Sequence, residues 1–168
     1  MAIIYSTTND GHVKKTSSSN WATARDATSG TASSNDAKIA FSVRVYKVAS
    51  GRGTLWQVWR TFFQFGTSRI KTPPSSAVLN IRGYSTGTAD LYVVKSEQSR
   101  PLANADFDAI TGWSAGADNS GNVTKYSSEV TTWSTSGYNS IVLNGKALAD
   151  IANLDTFKVC LIEADYDL

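Results

Sequence analysis

His12 and Cys160 are the only histidine and the only cysteine in the chain, so a nucleophilic site built on imidazole or thiolate would have to use one of them. His12 stands by a turn, with no sequence-local Ser, Cys or acid pair to make it a base, and it reads as a surface histidine. Cys160 alternates between Val159 and Leu161 in a strand-like run and reads as a buried, inert thiol, because reactivity needs exposure and nearby positive charge. One Cys and one His also exclude a disulfide framework and a Cys/His zinc site.

The carboxylates are equally sparse. Asp106 and Asp108 stand two apart, as do Asp165 and Asp167, and Glu97, Glu129 and Glu163 are the only glutamates. Glycoside hydrolysis would need two such acids facing each other across a cleft, and no spacing here brings a pair together. Asp118-Asn119-Ser120-Gly121-Asn122 resembles a calcium loop, and Glu129 falls at the twelfth position counted from Asp118. Ser120, however, replaces the acidic third ligand, and Gly121 moves the turn glycine off the sixth position. The segment reads as a solvated turn. No catalytic residue, metal or cofactor is expected.

Aromatic side chains are the remaining signal. There are five Trp and seven Tyr, and Trp21, Tyr84, Trp113, Tyr126, Trp133 and Tyr138 all lie where strand-like runs give way to loops. Flat aromatic faces stack on sugar rings while nearby Asn, Asp and Ser bind hydroxyls, so these six are the candidate glycan or partner contacts. The competing reading is packing or an oligomer contact. Trp56 and Trp59 are expected to fill the core. Arg60 and Arg82, alternating within strands, are expected to pair with carboxylates.

The elements that must position these residues are strands. The chain has 168 residues, 41% apolar and only 18% charged, with Ser and Thr making up roughly a quarter, and its net charge is +2. That charge is too small to point to nucleic acid, and no apolar run has the length of a membrane span. Residues 2–8 predict an opening strand ended by the turn Asn9-Asp10-Gly11. Residues 17–36, within a Ser/Thr-rich region at about 16–36, predict a long surface loop with one short strand near 21–25. Residues 38–48 alternate, with Ile39, Phe41, Val43 and Val45 on one face and Ser42, Arg44 and Tyr46 on the other, before a turn at Gly51-Arg52-Gly53.

Residues 55–65 (LWQVWRTFFQF) carry aromatics on both faces, as a central strand or an oligomer interface would. Further strands are expected at 77–81, 91–94, 124–133, 140–143 and 156–163, with a polar tip at 84–88. One helical turn should stop at Gly112, and a helix is expected at 145–152. Closure of the sandwich places Ile3 and Ile4 near residues 159–162. The fold class is all-β: a single antiparallel two-sheet β-sandwich (jelly roll) over residues 1–168, with one or two short helices.

The run RTFFQFGTSRI at 60–70, followed by Pro73-Pro74, SSAVLNI at 75–81 and LYVV at 91–94, resembles the DNRLRE-like and related carbohydrate-binding-like jelly-roll domains. Gly66 stands where that pattern usually has Asp. ADFDAITGW at 105–113 and the stretch from YNSIVLN to LIEADYDL resemble versions found in virion proteins of tailed bacteriophages. The resemblance covers about two thirds of the chain and says more about fold than function.

It implies a non-enzymatic virion component, assembled in the bacterial host cytoplasm. The role would be head decoration, head fibre or a small tail receptor-binding part. Its partners would be capsid or tail proteins and its own copies, with a trimer as one symmetric solution, and a host surface glycan as a further ligand. A chain starting at Met1 without a signal segment is compatible with that origin. A free-standing carbohydrate-binding module or lectin is the alternative.

Overall fold

The computed structural model describes residues 2–8, 10–34, 42–50, 53–84 and 90–168. Eight strands carry the fold: β1 (Gly11–Ser17), β2 (Thr31–Ser34), β3 (Arg44–Ser50), β4 (Gly53–Gly66), β5 (Val78–Arg82), β6 (Leu91–Lys95), β7 (Tyr138–Val142) and β8 (Thr156–Glu163). Two short helices, α1 (Trp21–Arg25) and α2 (Gly145–Asn153), and a 3₁₀ turn at Asn104–Asp108 complete it. All pairings between strands are antiparallel. The molecule is an all-β, antiparallel two-sheet sandwich, with six strands in one sheet and two in the other.

β4 organises the large sheet. Its 14 residues span roughly 45 Å at the usual rise per residue. β1 pairs along one edge, from Phe62 to Trp56. The other edge is shared end to end by β3, opposite Gly53 to Trp59, and β8, opposite Thr61 to Gly66. β6 then pairs with β8.

The aromatic pattern on both faces of β4 has the expected cause, since the sheet is covered on both sides. Side chains alternate across a strand, and so two cores form. The first holds Val13, Val58, Phe62, Val94, Cys160 and Ile162 under α1, the 3₁₀ turn and Leu168. The second holds Val93, Phe157, Val159 and Leu161, covered by Leu79 and Ile141 of the small sheet and by Ala147 and Ile151 of α2. β8 is buried on both faces from Val159 to Ile162, which explains its nearly unbroken apolar run.

Several local expectations change. Residues 2–8 do not form a strand: Ser6 makes one isolated bridge to Phe65, continuing the line of β1, and Ile3 and Ile4 are exposed and unpaired with β8. Residues 21–25 are helical because Asn20 caps the turn, accepting the Thr23 N–H at 2.8 Å, and residues 31–34 form β2 against β1. The Ser/Thr-rich region is therefore structured. Residues 124–133 contribute only isolated bridges, at Lys125 and Val130. The expected alternation at Ile39 and Phe41, the turn at 51–52 and most of the 84–88 tip lie outside the described residues. The helical turn expected to stop at Gly112 ends earlier, at Asp108 with Ala109 as its C-cap. Gly112 instead serves a later turn: at φ +89° it takes a backbone that L side chains avoid, and a Cβ there would meet Asn122 O at 2.2 Å.

On the first face one buried ion pair ties the layers together. The Arg60 guanidinium donates from Nε and Nη2 to both carboxylate oxygens of Asp167, at 2.8 and 2.6 Å. It also donates to the carbonyls of Phe107 and Arg25, at 2.8 and 3.0 Å. Both side chains are fully buried. Arg60 thus meets its carboxylate, as expected, whereas Arg82 has none among the described residues.

Breaking a buried pair strands the surviving charge, so Asp167→Asn and Arg60→Met should each destabilise by about 3–5 kcal/mol. The double variant Arg60→Met/Asp167→Asn should lose less than the sum. Urea unfolding of the four proteins measures this, and additive losses would show that the two groups act separately.

Candidate functional site

The six aromatic candidates separate into three settings. Trp21 and Trp113 belong to a column of alternating rings and guanidinium groups. Arg25 lies 4.8 Å from the Trp21 centroid and 5.8 Å from Trp113. Arg60 lies 3.9 Å from Trp113 and 4.2 Å from Phe107. α1 sets Trp21 and Arg25 on one face by their i, i+4 spacing. Arg25 is anchored by Asp26 at 2.7 Å and the Ala117 carbonyl at 2.8 Å. The indole N–H groups of both tryptophans are buried without an acceptor. These two rings support the buried ion pair.

Tyr126 is a core residue with no exposed surface, which removes it from the contact set. Its ring stacks on Phe157 at 5.1 Å, and its hydroxyl donates to Asp150, which also accepts from Lys95 at 3.0 Å. Burial, with the Asp150 hydrogen bond, pushes the phenol far above its ordinary range.

Tyr84, Trp133 and Tyr138 collect at one end of the small sheet, where Gly83 N–H donates to Gly137 O at 2.9 Å. Gly83 packs so closely on the 133–134 turn that a Cβ would meet Ser134 O at 1.7 Å. Tyr84 and Tyr138 are 71% and 69% exposed, so solvent reaches both rings. An open groove of about 450 Å³, lined by Val130, Thr132, Trp133, Tyr138, Ser140 and Ile141, runs beside β7.

A further cluster of functional groups is one that sequence reasoning missed, with Arg44 exposed and Lys14, Tyr46, Gln57 and Trp59 half-buried. Trp59 belongs to neither core cluster. It faces the same side as the second core, past the cover of the small sheet, and it is opposite Lys14 of β1 and Arg44 of β3 in register. Lys14 Nζ lies 4.9 Å from the Trp59 centroid and the Arg44 guanidinium 4.5 Å. Arg44 is also 4.6 Å from Tyr46.

The next rung on this face is Thr16–Gln57–Tyr46, and Trp59 Nε1 donates to Gln57 Oε1 at 3.3 Å. Neither Lys14 nor Arg44 has a carboxylate partner among the described residues. His12, expected at the surface, is only 9% exposed, with its ring 4.6 Å from Trp59. The alternation of Arg44 and Tyr46 signalled this face, and the β3–β4 hairpin brings Trp59 beside them, but Lys14 arrives from β1, a strand distant in the chain.

The remaining polar candidates have structural partners. Cys160 is fully buried, and desolvation raises its thiol well above the ordinary value. Asp106 accepts from Ser99 N, Ser99 Oγ and Ala103 N at 2.6–2.8 Å. Asp118 accepts the Ser120 N–H at 2.9 Å, while Glu129 accepts the Tyr92 hydroxyl at 2.9 Å. Asn119, between them in sequence, is fully buried and laces its own loop through Ser114 and Ala117.

Compared with known protein families, curated proteins and solved structures, the chain matches none.

Two predictions follow from these environments. Trp113→Ala should destabilise the fold by about 3 kcal/mol, whereas Trp113→Phe should cost far less, since it keeps a ring over Arg60 and removes an unpartnered N–H. Equal losses in thermal unfolding would refute the packing role.

The second concerns Asp150. Burial opposes its ionisation, but the hydrogen bonds from Tyr126 and Lys95 and the Lys95 charge outweigh it and hold the carboxyl below its ordinary value. Its contribution to stability is therefore present above the ordinary carboxylate range and is lost as pH falls through the lowered folded value. Asp150→Asn should flatten the acid side of the stability profile, read from urea midpoints between about pH 6 and pH 2.

Proposed function

We propose that this chain is a non-enzymatic component of the surface of a tailed-bacteriophage particle, in the head as a decoration or fibre protein, or in the tail as a small receptor-binding part. The phage origin rests on the resemblance of residues 105–113 and 138–168. The observation that carries an assembly role is the outer face of the small sheet. There Val78 pairs with Val142 and Arg82 with Tyr138, and the three apolar members are 47%, 69% and 69% exposed. The polar Asn80–Ser140 rung lies between them, so this face is mixed, and exposed apolar residues at both ends of a polar rung suit contact with another protein surface.

The edge beside it supports the same reading. β7, like β5, is an edge of a two-stranded sheet and, with Leu143, contains no Lys, Glu or Pro, the residues that usually protect an open edge. Ile3 and Tyr5, 67% and 82% exposed, add a second apolar element. Copies of the chain or neighbouring particle proteins would cover these surfaces, with polar loops outward. A closed homo-oligomer, such as a trimer, satisfies such a face symmetrically.

A free-standing carbohydrate-binding module is the second reading, favoured by the platform around Trp59. Light scattering on the purified chain at micromolar concentration separates the two. The assembly reading expects a multimer mass that Val142→Lys reduces to the monomer without loss of cooperative unfolding. A wild-type monomer across the concentration range would count decisively against it.

A further inference from the structure

We infer that the open end of the large sheet, at Lys14, Arg44, Tyr46, Gln57 and Trp59, is a binding platform for an acidic polysaccharide, recognised through its carboxylates. This deepens the binding reading above by naming a ligand class. It is tested by affinity, where the assembly role is tested by mass, so either can fail alone.

The geometry begins with register. Lys14, Trp59 and Arg44 form one rung across β1, β4 and β3. Neighbouring strands lie about 4.8 Å apart, so the backbones bearing the two cations are about 10 Å apart with an indole between them. Both charged groups reach to the same indole, within 4.9 and 4.5 Å of its centroid, so the charges lie no more than about 9 Å apart, a span that acidic groups on neighbouring or alternate sugars of one chain match. The rings also hold the cations in place. Arg44 lies within 4.6 Å of both Tyr46 and Trp59, and Lys14 within 4.9 Å of Trp59. A guanidinium laid against aromatic faces keeps its N–H edge available for a bidentate carboxylate, with little ordering entropy left to lose on binding.

Charge and polarity favour this occupant. Among the described residues no carboxylate pairs with Lys14 or Arg44, and neither does one pair with Lys15 or Lys47 on the opposite face of the same strands. The adjoining rung, Thr16–Gln57–Tyr46, offers hydroxyl and amide groups suited to sugar hydroxyls. Two cations in one rung do not make the continuous basic track that a phosphate backbone requires.

Calorimetric titration with trigalacturonate tests the assignment, with its fully methyl-esterified form and an oligothymidylate as comparison ligands. The expected result is saturable binding of trigalacturonate that weakens with added salt, and about tenfold weaker binding of the ester. Arg44→Gln and Lys14→Gln should each weaken trigalacturonate by about tenfold, as loss of one charge-assisted contact does, at an unchanged melting temperature. Tyr46→Ala, which frees the guanidinium on one side, should weaken it less. The inference is overturned by a folded protein that does not bind, by equal affinity for acid and ester, by binding that survives the Lys14→Gln/Arg44→Gln double variant, or by tighter binding of oligothymidylate.

Discussion

Arg60 and Asp167 hold opposite charges with no solvent contact, and much of the first face is arranged around that fact. Removing both ions from water is costly, and the attraction offsets that cost only when the remaining donors are satisfied. Here four hydrogen bonds and two aromatic rings surround one guanidinium. The guanidinium comes from the middle of β4, and its partners come from α1, from the 3₁₀ turn, from Trp113 and from Asp167 near the C-terminus. Asn119 N–H, donating to Leu168 O at 3.0 Å, and Glu163 O, accepting from Leu168 N–H, keep that terminus in place. The long connection from residue 96 to 123 is therefore ordered by a charge it encloses, with little regular structure of its own.

The second face is built differently. A small sheet and α2 lie over β4, β8 and β6, and the contacts are almost wholly apolar, with the Tyr126–Asp150–Lys95 group as the polar exception. This cover is shorter than the strand it lies on. β4 is long enough to serve two neighbours end to end on one edge, β8 and β3, and the core under the small sheet is built on the β8 half. Lys14, Trp59 and Arg44 lie on the β3 half. The platform and the exposed outer face of the small sheet are both consequences of pairing a six-stranded sheet with a two-stranded one.

Strands with strong alternation or an unbroken apolar run were legible within a residue or two. β4, β5, β6, β8 and α2 all fall where the periodicity puts them, because burial of one or both faces dictates residue type directly. The region around α1 was misread as loop, since its Ser, Thr and Ala content hides a helix that depends on the Asn20 cap and on Arg25 stacking against Trp21 and Trp113. The opening segment has good strand propensity at Ile3, Ile4 and Tyr5, yet it meets β4 only through the Ser6–Phe65 bridge and the Thr7 N–H to Gln64 O, and it forms no strand.

The sequence by itself determined the fold class, the central aromatic strand, the buried character of Cys160 and the scarcity of groups able to do covalent chemistry. Those properties follow from composition and from periods of two and 3.6 residues. Only the tertiary structure decided which aromatics are reachable. Tyr126 and Trp59 look alike in sequence context, each within an apolar or mixed strand-like run. One is sealed under Phe157, and the other stands between two cations past the edge of its cover. The difference is made by cross-strand register and by the extent of the opposing sheet. Both are set by pairings between segments distant in the chain, which no local pattern records.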